Sequence, residues 1–233
     1  MMGDAMIEAL IFDKDGTLFD FRLSWGAWTR ALLAELGDSD GLLARVLGYD
    51  GARNDFAPDS PVIAMTTPEI ADILLPHLPG MALDTLLARM NQLAADAPMV
   101  PAVDLPAVLG ALKARGLKLG LATNDTEVPA RRHLAGAGVL ELFDFVVGCD
   151  SGYGGKPAPG QLLGFVAHCG LTPARVAMVG DSLHDLDAGR AAGMKAVAVL
   201  TGIATRGDLA PHADVVLANI SGLAEWIDGL AAA

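Results

Sequence analysis

Six short apolar runs recur along the 233-residue chain, each with the length of a strand that is buried in a parallel sheet. Segments with a helical pattern lie between them, and this alternation is typical of an α/β fold with helices on both faces of the sheet. The sequence therefore predicts a doubly wound parallel sheet. The six runs span 7–12, 117–122, 145–149, 176–179, 196–200 and 214–217.

About a hundred residues separate the first two runs, which is too long for a simple crossover between parallel strands. Pro98 and Pro101 mark a stiff junction where this stretch rejoins the sheet. An irregular loop is predicted over 49–68. The helical patterns within the stretch span 23–36, 67–75 and 83–95.

Two acids, Asp13 and Asp15, directly follow the first run, where the carboxyl end of a strand opens into a ligand crevice. Residues two apart in an extended segment point the same way, so both carboxylates can face one bound group. A simple turn closed by Gly16 is the alternative. A calcium-binding loop is excluded, because it needs Glu at the position that Ser24 occupies.

A second acidic cluster, with Asp181 and Asp185, follows the fourth run. Gly180 permits close approach of the backbone beside Asp181. A helix is predicted from Asp185 to Ala192, and acids are favoured in the first turn of a helix, so capping is the alternative role of Asp185.

Polar groups also end the second run, at Thr123 and Asn124, and can donate hydrogen bonds to phosphate oxygens. Capping of a helix that begins near Val128 is the alternative for Thr123. Lys156 stands in a Gly-Gly-Lys-Pro stretch, and a solvated surface charge is the alternative there.

Together these four stretches resemble the motifs of the haloacid dehalogenase superfamily of hydrolases, most closely its phosphoglycolate-phosphatase-like branch. The matches are Asp13 to Thr17, Thr123, Lys156, and Gly180 to Asp185 followed by an Ala-Gly-x-x-Ala-Gly stretch. The resemblance covers nearly the whole chain. It implies a Rossmann-like catalytic core over 1–18 and 99–233, with an inserted helical cap over 19–98.

The resemblance also implies a phosphatase that hydrolyses small phosphomonoesters, with phosphoglycolate as a candidate. Asp13 is the expected nucleophile, which becomes an aspartyl-phosphate, and Asp15 the general acid and base. Thr123, Asn124 and Lys156 are expected to bind the phosphoryl oxygens.

The expected cofactor is Mg2+, held by Asp13, the main-chain carbonyl of Asp15, and Asp181. Without a cation, a phosphate dianion would approach several carboxylates and be repelled. Asp185 is expected to orient metal-bound waters or Lys156 without contacting the metal.

Two alternatives remain on this fold: a phosphoglucomutase-like phosphotransferase, and a non-catalytic binding protein. The second Asp of the first motif is lacking in haloacid dehalogenases and replaced in phosphonoacetaldehyde hydrolases, so Asp15 argues against both. The branch usually has Leu or Met where this chain has Lys14, and alternation predicts that Lys14 points away from the site.

Substrate choice is expected to depend on the cap, where Arg22, Trp25, Arg53 and Asn54 are the candidates. Trp25 and Trp28 are three residues apart on one helix face, so a core role is the alternative for both. His184 is a candidate for the entrance of the site.

A net charge of −12 opposes binding to nucleic acid or to an anionic membrane, so we expect a small phosphorylated metabolite as the partner. No apolar stretch reaches about 18 residues. The N-terminus has no basic start typical of a secretory signal, and we expect a cytoplasmic protein. Cys149 and Cys169 lack paired spacing and are expected to be buried free thiols.

Overall fold

The fold is built on a six-stranded parallel sheet, seen in a computed structural model that describes residues 6–231. All six predicted strands are present, with ends that differ from the predicted bounds by at most a few residues. The strands are β1 (Ala9–Phe12), β2 (Tyr49–Asp50), β3 (Asp55–Phe56), β4 (Lys118–Ala122), β5 (Phe145–Val147), β6 (Val176–Gly180), β7 (Lys195–Val199) and β8 (Val215–Leu217). The sheet order is β5-β4-β1-β6-β7-β8, and β2 and β3 form a separate pair.

Strand β1 lies between β4 and β6, and its register fixes where the site forms. Phe12 pairs with Leu121 on one side and with Val179 on the other. Because all three strands run parallel, their carboxyl ends meet at one edge of the sheet. The polar residues that follow these strands are thereby brought together.

Helices cover both faces of the sheet, which confirms the doubly wound fold. Leu10 and Phe12 point into one apolar cluster and Ala9 and Ile11 into another, as the twofold alternation of a strand requires. The helices are α1 (Phe21–Leu36), α2 (Leu42–Val46), α3 (Pro61–Ala64), α4 (Thr67–Leu74), α5 (Leu83–Ala95), α6 (Leu105–Ala114), α7 (Glu127–Gly136), α8 (Gly160–Cys169), α9 (Leu183–Ala191), α10 (Arg206–Leu209) and α11 (Leu223–Ala231).

The insertion after β1 has an apolar cluster of its own, in which α1, α4 and α5 bury side chains such as Trp28, Ile70 and Leu86. Helix α1 begins where the Asp20 carboxylate accepts a hydrogen bond from the Leu23 amide (2.9 Å), and Gly37, in the left-handed conformation, caps its end. We call this helical insertion the cap. Its exact bounds of 19–98 stay a prediction, which the separate cluster supports.

The predicted irregular loop over 49–68 was only partly right. Strands β2 and β3 pair there as a short antiparallel hairpin, in which Tyr49 is opposite Phe56. Helix α3 follows, and Ser60 caps its first turn by accepting a hydrogen bond from the Val62 amide. Elements of two to four residues are too short for a hydrophobic period to reveal them.

Neither cysteine forms a disulfide, and both are partly buried. Burial raises the pKa of the Cys149 thiol to about 11, which makes it a poor nucleophile at neutral pH. Among residues 6–231, no helix has both the length and the apolar composition for crossing a bilayer.

Candidate active site

Asp13, Lys156 and Asp185 form a buried ionic chain at the carboxyl edge of the sheet. The Lys156 ammonium donates to Asp13 Oδ1 at 2.5 Å and to Asp185 Oδ1 at 2.7 Å. Asp13 leaves the end of β1, and its amide donates to the Val179 carbonyl (2.8 Å), which fixes the backbone of the carboxylate. Lys156 is 6% exposed, so it is not a solvated surface charge.

Asp181 completes a cluster of three buried carboxylates with Asp13 and Asp185. One oxygen from each lies within 4.8 Å of the others. The backbone approaches Asp181 so closely that a Cβ at Gly16 or Gly202 would collide with its carboxylate. Gly16 also has φ +83°, which favours glycine, so this position is doubly constrained.

Burial and neighbouring charges shift the pKa values of this cluster. Burial raises the pKa of Asp13 to about 7, although the Lys156 charge opposes the shift. Burial and then the charge of Asp185 raise the pKa of Asp181 well above its ordinary value. Burial acts to lower the pKa of Lys156, but the two aspartates beside it outweigh burial and raise it.

The cluster fits a divalent cation. Its donors are hard carboxylate oxygens, which are the ligands that Mg2+ prefers. Burial first, and the neighbouring carboxylates after it, raise the pKa values of Asp13 and Asp181, and a bound cation would act against both effects.

Asp185 performs both roles that the sequence left open. Its Oδ2 accepts hydrogen bonds from the Ser182 amide (3.1 Å) and hydroxyl (2.7 Å), which caps α9. Its Oδ1 accepts from Lys156. Helix α9 begins at Leu183, two residues earlier than predicted. The aspartate therefore anchors the lysine to the start of a helix.

Thr123 and Asn124 both line the pocket above Asp13, but their side chains already have partners. The Thr123 hydroxyl accepts from the Asp125 amide (3.1 Å). Thr126, not Thr123, occupies the N-cap position of α7, so Thr123 does not cap that helix. The Asn124 side chain donates to the carbonyls of Ala64 (2.7 Å) and Lys156 (2.9 Å). Asn124 therefore links the Lys156 loop to the cap.

The prediction that Lys14 points away from the site is wrong. Its fully buried ammonium donates to Asp125 Oδ2 at 2.6 Å and lies 3.2 Å from Asp15 Oδ2. It also contacts His133 Nδ1 (2.9 Å) and lies 5.3 Å from the centroid of the Trp25 ring. Lys14 is therefore a second buried cation, paired with Asp125 and Asp15, whereas Lys156 is paired with Asp13 and Asp185.

Burial raises the pKa of Asp15, while the Lys14 charge opposes the shift. Oδ1 of Asp15 is buried without a hydrogen-bond partner in the described part of the chain, and so is the indole Nε1 of Trp25. The Trp25 indole lies close enough to Asp15 to act on its carboxyl, and it lowers the pKa of that group against the effect of burial. A raised pKa suits a carboxyl that has to donate a proton near neutral pH.

The pocket over these carboxylates is roofed by apolar side chains of the cap. Trp25 and Trp28 form an edge-to-face pair with centroids 5.0 Å apart, and both line the pocket. Trp28 is also buried in the cap cluster, so the core and site interpretations both hold for this pair. His184 lines the pocket as well.

The other cap candidates lie outside the pocket, which corrects their predicted role. Arg22 donates to Asp55 (2.7 Å). Arg53 is largely exposed and pairs loosely with Asp50. The Asn54 side chain donates to the Arg22 carbonyl (3.0 Å). The contacts of Arg22 with Asp55 and Asn54 connect parts of the cap that are distant in sequence, so no local pattern could have revealed them.

The chain is similar in sequence to known proteins. The family model for haloacid dehalogenase-like hydrolases matches residues 7–193. A phosphoglycolate phosphatase of Rhodospirillum rubrum is 32% identical over 231 residues, covering 95% of this chain and 91% of the relative. An N-acetylmuramic acid 6-phosphate phosphatase of Pseudomonas aeruginosa is 30% identical over 232 residues, covering 95% of each chain.

The fold is also similar to that of solved structures. A β-phosphoglucomutase of Clostridium difficile superposes with a TM-score of 0.70 at 20% identity, covering 97% of both chains. At this identity the likeness shows the fold alone.

Proposed function

The chain belongs to the haloacid dehalogenase-like hydrolase family, and on that premise we propose that it is a Mg2+-dependent phosphatase acting on small phosphomonoesters through an aspartyl-phosphate at Asp13. The observation that carries the proposal is the Asp13 carboxylate at the end of β1, held 2.5 Å from the Lys156 ammonium at the base of a pocket. The expected partner is a small phosphorylated metabolite, and the expected location is the cytoplasm.

In the first step, an Asp13 oxygen attacks phosphorus while the bond to the ester oxygen breaks. Asp15 gives its proton to that departing oxygen, which leaves as an alcohol. The raised pKa of Asp15 supports this role, because burial favours the protonated carboxyl that a general acid requires.

In the second step, a water attacks the aspartyl-phosphate and Asp15 takes the proton of that water. The bond between phosphorus and Asp13 breaks, which releases inorganic phosphate and restores the carboxylate. Lys156 binds the phosphoryl oxygens in both steps, and Thr123 with the adjacent amides of the β4 loop donates to the same oxygens.

Asp13, Asp181 and the main-chain carbonyl of Asp15 are the proposed ligands of Mg2+. When bound, the cation neutralises the charge that the phosphate and the carboxylates accumulate. Asp185 holds Lys156 at 2.7 Å and does not itself need to contact the metal.

Phosphoglycolate is the candidate substrate that the name of the Rhodospirillum relative suggests. A phosphoglucomutase-like transferase would pass the phosphoryl group to a sugar phosphate instead of water. A non-catalytic binding protein is expected to lack a reacting group, whereas Asp13, Asp15 and Lys156 are all present.

Release of inorganic phosphate from a panel of phosphomonoesters, with Mg2+ and again with a chelator, tests the proposal. We expect release that depends on Mg2+. Isomerised sugar phosphate without phosphate release would favour the transferase. Absence of both reactions across the panel would leave the binding protein as the better description.

A further inference from the structure

The cap wall of the active-site pocket is aromatic and aliphatic. It is lined by Phe21, Trp25, Val62, Ile63, Met65 and Met90, among others. Trp25 and Met65 are partly exposed, so the wall faces the space above Asp13 as well as the cap interior. Contact of such a surface with apolar atoms of a ligand makes the free energy of binding more favourable.

The wall contains no cation. Residues 19–98 include five arginines and no lysine, and none of the five lines the pocket. Arg22 is paired with Asp55, and Arg89 with Glu35. Within residues 6–231, Lys156 is the only lysine or arginine of the pocket lining, and it already holds Asp13.

Carboxylates dominate the remaining charge of the pocket. Asp13, Asp15, Asp125 and Asp185 all line it. The proposed cation and Lys156 serve the phosphate itself. Lys14 is not part of the lining and is already paired with Asp125 and Asp15. A second anionic group on the substrate would therefore lie between apolar side chains and these carboxylates without a partner, and an unpaired charge in such a place is costly.

One neutral hydrogen-bonding group is accommodated. The Trp25 indole Nε1 is a buried donor with no partner in the described chain, and Asp15 Oδ1 beside it is an unpartnered acceptor. The Asn124 amide cannot serve, since its nitrogen and oxygen both bind backbone groups. A substrate can thus place one hydroxyl or ester oxygen near Trp25 while the rest of its alcohol portion is apolar.

We propose that the enzyme acts on phosphate monoesters of uncharged, largely apolar alcohols and discriminates against substrates with a second anionic group, phosphoglycolate among them. This inference rests on the proposed phosphatase function. It assigns the choice of substrate to the apolar cap wall and the hydrolysis to the charged residues below it.

Two matched pairs of substrates test the inference: phosphoglycolamide against phosphoglycolate, and 4-carbamoylbenzyl phosphate against 4-carboxybenzyl phosphate. Within each pair the leaving groups are similar in shape, and the main difference is one carboxylate. With Mg2+, we expect kcat/KM for the neutral member to be about tenfold or more above that of the charged member. Equal values, or a preference for the carboxylates, would overturn the inference.

A charge placed on the wall sharpens the test. Met65→Lys puts an ammonium on a partly exposed pocket position, and Ile63→Lys offers a second placement if the first variant folds poorly. We expect the ratio of neutral to charged kcat/KM to fall by about tenfold. Leu83→Lys, on a partly exposed cap position outside the pocket, is the matched control and should leave the ratio unchanged.

The outcomes separate the two proposals. If no phosphomonoester is hydrolysed with Mg2+, the phosphatase function fails and the inference fails with it. If esters are hydrolysed but Met65→Lys and Ile63→Lys both fold and leave the ratio of neutral to charged kcat/KM unchanged, the phosphatase function stands. The cap wall then does not select substrates by their charge.

Discussion

The floor and the roof of the pocket are built on opposite principles. We use floor for Asp13, Asp15, Lys156, Asp181 and Asp185. Lys156 is hydrogen-bonded to Asp13 and to Asp185, and one oxygen each of Asp13, Asp181 and Asp185 lies within 4.8 Å of the others. The roof is the cap wall, which offers apolar surface and one unpartnered indole donor. Charged groups fix a reaction because their geometry is directional, whereas apolar surface only favours some leaving groups over others.

The largest effect is expected at the nucleophile of the floor. Asp13→Asn removes the attacking oxygen but keeps the size of the side chain, and Lys156 retains Asp185 as its partner. Phosphate release should fall by about 10⁴-fold or more, with the fold kept. Asp187→Asn, at an exposed acid of α9, is the control. Activity within tenfold of the parent in Asp13→Asn would remove it as nucleophile.

The loss of rate in an Asp15 variant should depend on the leaving group, which a purely structural role of Asp15 would not produce. Asp15→Asn should slow hydrolysis of an alkyl phosphate by about 10²- to 10⁴-fold, because the alkoxide needs a proton. The first step with 4-nitrophenyl phosphate should slow much less, since nitrophenolate leaves without one. Rapid-mixing measurements of alcohol release compare the two. Equal losses for both esters would contradict the role of general acid.

A substitution of Lys14 tests whether the buried carboxylates of Asp125 and Asp15 require a cation beside them. Lys14→Met leaves the buried carboxylate of Asp125 without its 2.6 Å partner. We expect a loss of about 3–5 kcal/mol in the free energy of unfolding, measured with urea. Lys118→Met, at a half-exposed pair with Asp144, should cost less than about 1 kcal/mol. Similar losses in the two variants would show that Lys14 is not a buried structural cation.

The smallest expected effect is a pH dependence of the free energy of unfolding that comes from His133. His133 contacts Lys14 and the carbonyl of Ala94 at the end of α5 (2.7 Å). Burial, and then the Lys14 charge, lower the pKa of His133 from 6.5 to about 4. Between pH 6.5 and about 4, His133 therefore binds a proton in the unfolded chain but not in the folded chain. The free energy of unfolding falls as the pH drops through that range.

His133→Gln should flatten that fall in the free energy of unfolding by at most about 3 kcal/mol. His212→Gln, at an exposed histidine, is the control and should leave the pH profile as it is. An unchanged profile in His133→Gln would mean that the histidine is not kept neutral by the fold.

The sheet was predictable because its strands are buried on both faces. All four residues of β1 are 0% exposed, so the strand is written as an uninterrupted apolar run. The convergence of Asp13, Thr123 and Asp181 followed from the same step, since parallel strands end at one edge. A motif that follows a strand is local in sequence, and its position after the strand predicts that it lies at the carboxyl edge of the sheet.

Lys14 and the roof were not predictable, because their structure depends on distant partners. The side chain of Lys14 is long enough to turn toward Asp125, which is 111 residues away. Arg22, expected at the site, is drawn instead to Asp55 and to the Gly202 carbonyl. Alternation and motif spacing describe neighbours along the chain, and these contacts lie between segments that only folding brings together.

The most direct test of the account is a search for phosphoryl-Asp13. In Asp15→Asn, mixed with 4-nitrophenyl phosphate and Mg2+ and quenched in acid, the first step proceeds without an acid and the second lacks its base. The intermediate should accumulate. Mass spectrometry should find one phosphoryl group on the peptide with Asp13, labile to hydroxylamine and missing when Asp13→Asn is added. Nitrophenol release with no phosphoryl group, or with the group on another residue, would contradict the account.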